Sequence, residues 1–246
     1  MNKPLLVNPE SPQLESLIID VSQGLQSAEY RIRKTINDHN FCILRGYIDA
    51  LDVENGINKV KTFVENNHDH AVTGETPDQV RDYFMKLSIG EGIHSGKSIF
   101  VDEAIVRPRF KRAIYSPIGA RDRFGLDIVF KKVAEIRNFC MGLDIDYATS
   151  SENQDGLWTA ARMHQFPTGG GFMAKHTDTV LPRIISETAI GNGFFQPILV
   201  MSQKGRDFET GGGVAVVDGK PIIYEDFTEV GDIAIYNVNT IHGVAE

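Results

Sequence analysis

The stretch "PTGGGFMAKHTDTV", Pro167–Val180, runs three consecutive glycines into a histidine, His176, that stands one residue away from a carboxylate, Asp178. A glycine-rich turn feeding a short run of β-forming residues reads as a turn and a strand. A strand sends alternate side chains to one face, so Phe172, Ala174 and His176 are expected to line up, with Asp178 continuing that parity. A His and an Asp two apart at a strand end can reach one ion. Taken alone, His-x-Asp is a common tripeptide, and unrelated polar residues after a turn are the simpler reading. The surrounding chain has to decide.

Downstream and upstream of this stretch the texture is the same from Leu157 onward. "LWTAARMHQF", "FQPILVMSQ", "GGVAVVDG", "KPIIYEDF" and "DIAIYNVN" are short β-type runs separated by Gly, Asn and Asp turns. Many short strands at close spacing predict a sandwich or barrel rather than βαβ units. The first 156 residues differ. Leu25, Ala28, Ile32 and Ile36 recur at helical spacing up to Asn40, and Val53, Ile57, Val60 and Phe63 form a second helical face. Val129, Val133, Ile136 and Cys140 form a third, with Gly142 placed to cap it. "FCILRGYI" between the first two is a strand candidate. Residues 67–126 are polar, carry Pro77, Pro108 and Pro117 and show no clean period, so loops are expected there. The expected plan is an α+β chain of one domain, 1–246. Residues 1–156 would be a helix-rich support, packed on one face of an antiparallel double sheet built from 157–246.

A third metal-ligand candidate, His242 in "NTIHGVAE", follows the predicted strand "GDIAIYN". Two neutral imidazoles and one carboxylate on one side of an ion leave open positions, the donor set of non-haem Fe(II) oxygenases. Zinc hydrolases also use two His and an acid, but present them from a helix as H-E-x-x-H, which this chain lacks. The successive segments "RMHQFPTGGGFMAKHTD", "FETGGGVAVVDGK" and "EVGDIAIYNVNTIHGV" resemble the core strands of the Fe(II)- and 2-oxoglutarate-dependent dioxygenases. The likeness covers about residues 158–246 and lies in the order of a Gly-containing turn into His-x-Asp, a Gly-Gly arm, a Gly-Asp strand start and a distal His-Gly-Val.

That resemblance implies a double-stranded β-helix (jelly-roll) core and Fe(II) held by His176, Asp178 and His242. It also implies 2-oxoglutarate as co-substrate, O2 as oxidant, and hydroxylation, desaturation or cyclisation of a small molecule such as an amino acid or natural-product intermediate. Related halogenases replace the acid by a small residue, so Asp178 points to oxygenation. The family usually grips 2-oxoglutarate with a cation beyond the second His. The sequence runs only to Glu246, inside an expected strand, so a chain clipped at that end is one expectation. The other is an internal cation: in extended "ARMHQF", Arg162 and His164 share a face, and Arg can hold a carboxylate bidentately. A solvated or salt-bridging Arg162 is the competing reading. Two further function classes stay open, a jelly-roll metal-binding protein or isomerase without 2-oxoglutarate chemistry, and a peptide or protein hydroxylase.

Composition narrows the partners. With 41% hydrophobic and 24% charged residues the chain can bury a core, and its net charge of −8 works against binding a phosphodiester backbone. No nucleic acid is expected. "MNKPLLVNPESP" lacks the apolar stretch of a signal peptide, and no apolar run is long enough to span a bilayer, so a cytoplasmic protein with no membrane contact is expected. Cys42 and Cys140 sit in apolar contexts and read as reduced core residues. "NHDH", with His68 and His70, reads as solvated polar ground, and His39 and His94 read as solvated or hydrogen-bonded side chains. "GKS" at Gly96–Ser98 misses the phosphate-loop pattern because position 91 is Glu91.

Overall fold

The computed structural model describes residues 14–67, 112–119, 121–149, 159–166, 172–178 and 194–245, and the backbone of three strands within 84–108. The three helices fall where apolar spacing places them. Helix α1, Glu29–His39, buries Ile32 and Ile36 and ends at Asn40, whose N–H donates to the Ile36 carbonyl at 2.8 Å and whose left-handed φ of 55° turns the chain out of the helix. Helix α2, Ala50–Asn66, starts at Asp49, whose side chain accepts the Leu51 N–H at 2.8 Å and satisfies one of the orphan donors of the first turn. Helix α3, Asp127–Met141, ends at Gly142 with φ 68°, a left-handed cap that glycine adopts without a Cβ clash.

Two four-stranded sheets lie beneath the helices. The first runs β1 (Ile18–Asp20), β2 (Phe41–Arg45), β12 (Ile233–Asn237), β9 (Phe195–Leu199). The second runs β11 (Lys220–Ile223), β10 (Gly212–Val217), β13 (His242–Ala245), β8 (Met173–His176). All pairings are antiparallel except β1 with β2, which is parallel and departs from the all-antiparallel plan. The crossover helix α1 between β1 and β2 permits that direction, since a parallel pair needs a long connection.

Residues 67–126 depart further from expectation. They contain β3 (Phe84–Leu87), β4 (Ile93–Lys97), β5 (Ala104–Pro108) and β6 (Arg112–Pro117), with β6 pairing both β3 and β7 (Ala160–Gln165). Pairing with partners distant in sequence supplies the strand order that local period does not show.

Side-chain parity on β12 shows how the layers stack. Ile233 and Ile235 pack with Ile32, Ile36, Val53 and Ile136 under the helices. Ala234 and Tyr236 point the other way and pack with Phe41, Ile43, Ala215, Val217 and Tyr224, filling the space between the two sheets. The first sheet is therefore buried on both faces, which is why β2 and β12 read as continuous apolar runs. The turn into β12 carries the buried Asp232, 2% exposed, held by Arg45 at 2.7 Å with further bonds from Arg45 Nε. The chain is thus mixed α+β with several antiparallel sheets, but the double sheet is not built from 157–246 alone, because β1 and β2 of the first sheet come from residues 18–45.

Candidate metal centre

His242 opens β13 and pairs across the second sheet with His176 at the end of β8 and with Ala215 of β10. Ala215 belongs to the cluster between the sheets, so both imidazoles face the interior of the sandwich. Their ring centroids are 4.3 Å apart, and the Tyr236 ring from the opposite sheet lies 4.5 Å from the His242 ring. His242 is only 5% exposed.

Strict alternation along β8 does not hold. Val244 pairs with Met173 while His242 pairs with His176, so a bulge gives β8 one extra residue. Met173, rather than Phe172 and Ala174, is in phase with His176. The bulge drives backbone oxygens toward β13, and a Cβ on Gly243 would stand 2.7 Å from the Met173 carbonyl oxygen and 3.3 Å from that of Ala174. Glycine after the distal His is thus a steric requirement. Asp178 lies past the strand end. Its N–H donates to the Val238 carbonyl at 3.0 Å, and the Val238 N–H donates to the Phe194 carbonyl at 3.2 Å. Backbone bonding, in place of continued alternation, brings its carboxylate to the histidines.

The three side chains converge. One ligand atom from each of His176, Asp178 and His242 lies within 4.8 Å of the others. Asp178 Oδ1 is 3.8 Å from His176 Nε2, and Asp178 Oδ2 is 3.5 Å from His242 Nε2. These are too long for hydrogen bonds. Two donors each ~2.1 Å from a shared ion stand about 3.0 Å apart at a right angle and ~3.4 Å apart at the tetrahedral angle, so a small contraction fits the set to one cation.

Two observations single out the Nε2 atoms as ligands. His176 Nδ1 lies 2.8 Å from the Ala174 carbonyl and His242 Nδ1 lies 2.9 Å from the Thr240 carbonyl. A carbonyl only accepts, so each Nδ1 carries the hydrogen and each Nε2 presents a lone pair, the arrangement metal-bound histidines show. Burial, with His176 nearby, holds the His242 pKa below its ordinary value against the raising effects of Thr240 and Asp178, which keeps the imidazole neutral. Asp178 Oδ2 is buried with no hydrogen-bond partner. Buried polar atoms are nearly always paired, and an orphan facing two lone pairs calls for a cation.

The other sequence candidates fall elsewhere. Arg162 and His164 share the exposed face of β7, opposite buried Met163. The Arg162 guanidinium lies 4.9 Å from the centre of the Tyr115 ring, and the His164 ring meets Phe166 edge-on at 6.2 Å. His164 is not in the metal-ligand cluster. His39 is hydrogen-bonded, its Nδ1 lying 2.7 Å from Asp218 Oδ2. Gly96 and Lys97 lie in β4, not in a loop before a helix. Cys42 and Cys140 are free thiols, Cys42 pushed well above its usual pKa by burial and Cys140 pushed up to about 12 for the same reason. His68, His70, Trp158 and Gly169–Gly171 lie outside the described residues. Sequence reading missed Tyr236 against His242. Its signal was parity with Ala234 in "DIAIYN", visible only once the two faces of β12 are known.

Fold and site together define a mixed α+β chain of antiparallel sheets with a candidate two-histidine, one-aspartate metal cluster between two of them. No protein-family profile matches the chain, and no curated protein matches it. Among solved structures, it is similar to a candidate 2OG-Fe(II) oxygenase family protein from Caulobacter crescentus, with a TM-score of 0.49 and 10% identity over 93% of this chain and 79% of that one. A likeness of that degree carries no argument about activity. Among the described residues, no helix is long and apolar enough to cross a membrane.

Proposed function

We propose that the chain is a non-haem Fe(II)- and 2-oxoglutarate-dependent oxygenase acting on a small molecule, built on a double-stranded β-helix core. The observation that carries this reading is the cluster itself. Both Nε2 lone pairs and a buried, unpartnered carboxylate oxygen of Asp178 converge from two strands and a loop. His176, Asp178 and His242 would hold the iron, a donor set that leaves other positions open for co-substrate and O2. Bound iron would supply activation of O2, with 2-oxoglutarate as the co-reductant. The chain's own residues do the rest. Ala174 and Thr240 carbonyls lock the imidazole tautomers, and Val238 fixes the loop of Asp178. Tyr236 and the apolar lining between the sheets shield the His242 ring from water. Arg162, exposed on β7, is the proposed grip for the distal carboxylate of the co-substrate, with His164 beside it on the same face.

A second reading rests on the ligand separations. At 3.5 and 3.8 Å they lie nearer the tetrahedral spacing than the right-angled one, which favours a four-coordinate ion in a metal-binding protein or isomerase. One experiment separates the two: incubation with Fe(II) or Zn(II), 2-oxoglutarate and a metabolite library, with succinate as readout. The oxygenase reading expects succinate with Fe(II) alone and none from His176→Ala. Tight Zn(II) binding without succinate from any library member favours the second.

A further inference from the structure

Strand β9 carries a polar residue, Gln196, whose amide oxygen is buried without a hydrogen-bond partner among the described residues. Gln196 pairs in register with Tyr236, and Ile198 with Ala234. Directly opposite residues share a face, so Gln196 and Ile198 point with Tyr236 and Ala234 into the space between the sheets, away from the helices that take Phe195 and Leu199. Ile198 indeed packs on that inter-sheet cluster. The amide oxygen of Gln196 is buried there with no hydrogen-bond partner among the described residues.

Gln196 lies at the same end of the sandwich as the metal cluster. Phe194, two residues before it, accepts from Val238, which accepts from Asp178. Its register partner Tyr236 covers the His242 ring at 4.5 Å. The inner face of the first sheet therefore sets an unpartnered amide oxygen and a phenol opposite the His–Asp–His side of the second. An orphaned buried amide oxygen costs stability unless something binds it.

We infer that the Gln196 side chain is a hydrogen-bonding contact for a small carboxylic acid held in this gap beside His176, Asp178 and His242. The inference rests on the oxygenase reading above and assigns a positioning role toward its co-substrate. Amide oxygen and nitrogen exchange places by a half-turn of the terminal torsion, so the orphaned end offers an N–H as readily as an acceptor. A cation at the cluster draws an anion into the gap, and an N–H donated to a carboxylate is among the stronger neutral–charged hydrogen bonds.

The test is anaerobic titration of 2-oxoglutarate into the Mn(II)-loaded full chain by calorimetry, for wild type, Gln196→Met and Gln196→Glu. Mn(II) affinity and urea unfolding of the metal-free protein are measured in parallel. Loss of one hydrogen bond to a charged group predicts a Kd raised about tenfold or more in Gln196→Met. Gln196→Glu should be weaker still, because it sets two carboxylates against each other. Mn(II) affinity stays at the wild-type value, and metal-free Gln196→Met is at least as stable as wild type, since an unpartnered amide has been removed. A structural role would instead lower that stability, and this result overturns the assignment. Equal 2-oxoglutarate affinity in all three proteins overturns it while leaving the oxygenase reading intact. Tighter binding by Gln196→Glu than by Gln196→Met overturns the carboxylate class. Failure of wild type to bind 2-oxoglutarate with metal present overturns both this inference and the reading beneath it.

Discussion

Asp178→Asn should leave the metal-free protein as stable as before, or more so, while removing its metal. In the present structure Oδ2 of Asp178 is buried without a partner among the described residues and Oδ1 is 3.8 Å from Nε2 of His176. An unsatisfied buried acceptor costs about 1–3 kcal/mol. The side chain keeps 20% of its surface in contact with solvent, so the low end of that range, ~1 kcal/mol, applies. Asparagine keeps the shape, and its amide N–H groups can donate to the Nε2 lone pairs of His176 or His242. The expected gain of ~1 kcal/mol corresponds to a melting temperature about 2–4 °C higher for a chain of this size. The same change removes the one charged ligand. Its effect on metal affinity should exceed the ~10–100-fold that loss of an outer-shell partner costs. Differential scanning fluorimetry of the chelator-treated protein and calorimetric Fe(II) or Mn(II) titration read the two effects separately. A metal-free variant less stable by 1 kcal/mol or more would mean that Asp178 holds the fold together, and metal affinity within tenfold of wild type would remove it from the ligand set. Either result refutes the reasoning.

Three further outcomes follow from the same geometry. Gly243→Ala sets a Cβ 2.7 Å from the Met173 carbonyl oxygen, an overpacking expected to cost roughly 1–3 kcal/mol and to spread the β8–β13 pair. Urea unfolding and metal titration should both weaken, and an unchanged metal affinity would show that the bulge does not position the histidines. Because burial depresses the His242 pKa, the unfolded chain takes up a proton near pH 6.5 that the folded one resists. That contribution to metal-free stability is complete above the unfolded value and is lost as pH falls below it. Stability of wild type between pH 7.5 and 5.5 should therefore fall more steeply than that of His242→Gln, and parallel curves would exclude a depressed His242. Arg162→Ala should raise the 2-oxoglutarate KM with metal affinity unchanged, whereas an unaltered KM would return Arg162 to its stacking role on Tyr115.

The helices were legible because their causes are local. Ile32 and Ile36, Val53 and Phe63, Val129 and Ile136 recur at helical spacing, and Asp49, Asn40 and Gly142 cap the ends within a few residues of the apolar runs. The three candidate ligands were legible because donor chemistry is restricted to a few side chains, and only His176, Asp178 and His242 stood in a matching order along β-type segments. Strand partners were not legible. The pairing of β1 with β2 in parallel, and of β6 with both β3 and β7, depends on surfaces brought together from far along the chain.

Sequence by itself determined the residue types available for a metal and the local segments that carry them. Only the tertiary structure decided that one extra residue in β8 brings Met173 into phase with His176, and that Ala174 and Thr240 turn both Nε2 atoms toward Asp178. It alone decided that Gln196 faces the same gap. The physical reason is that side-chain period along a strand is two, so a single bulge or register choice reverses which residues share a face. That choice is made by the neighbouring strand, not by the segment itself.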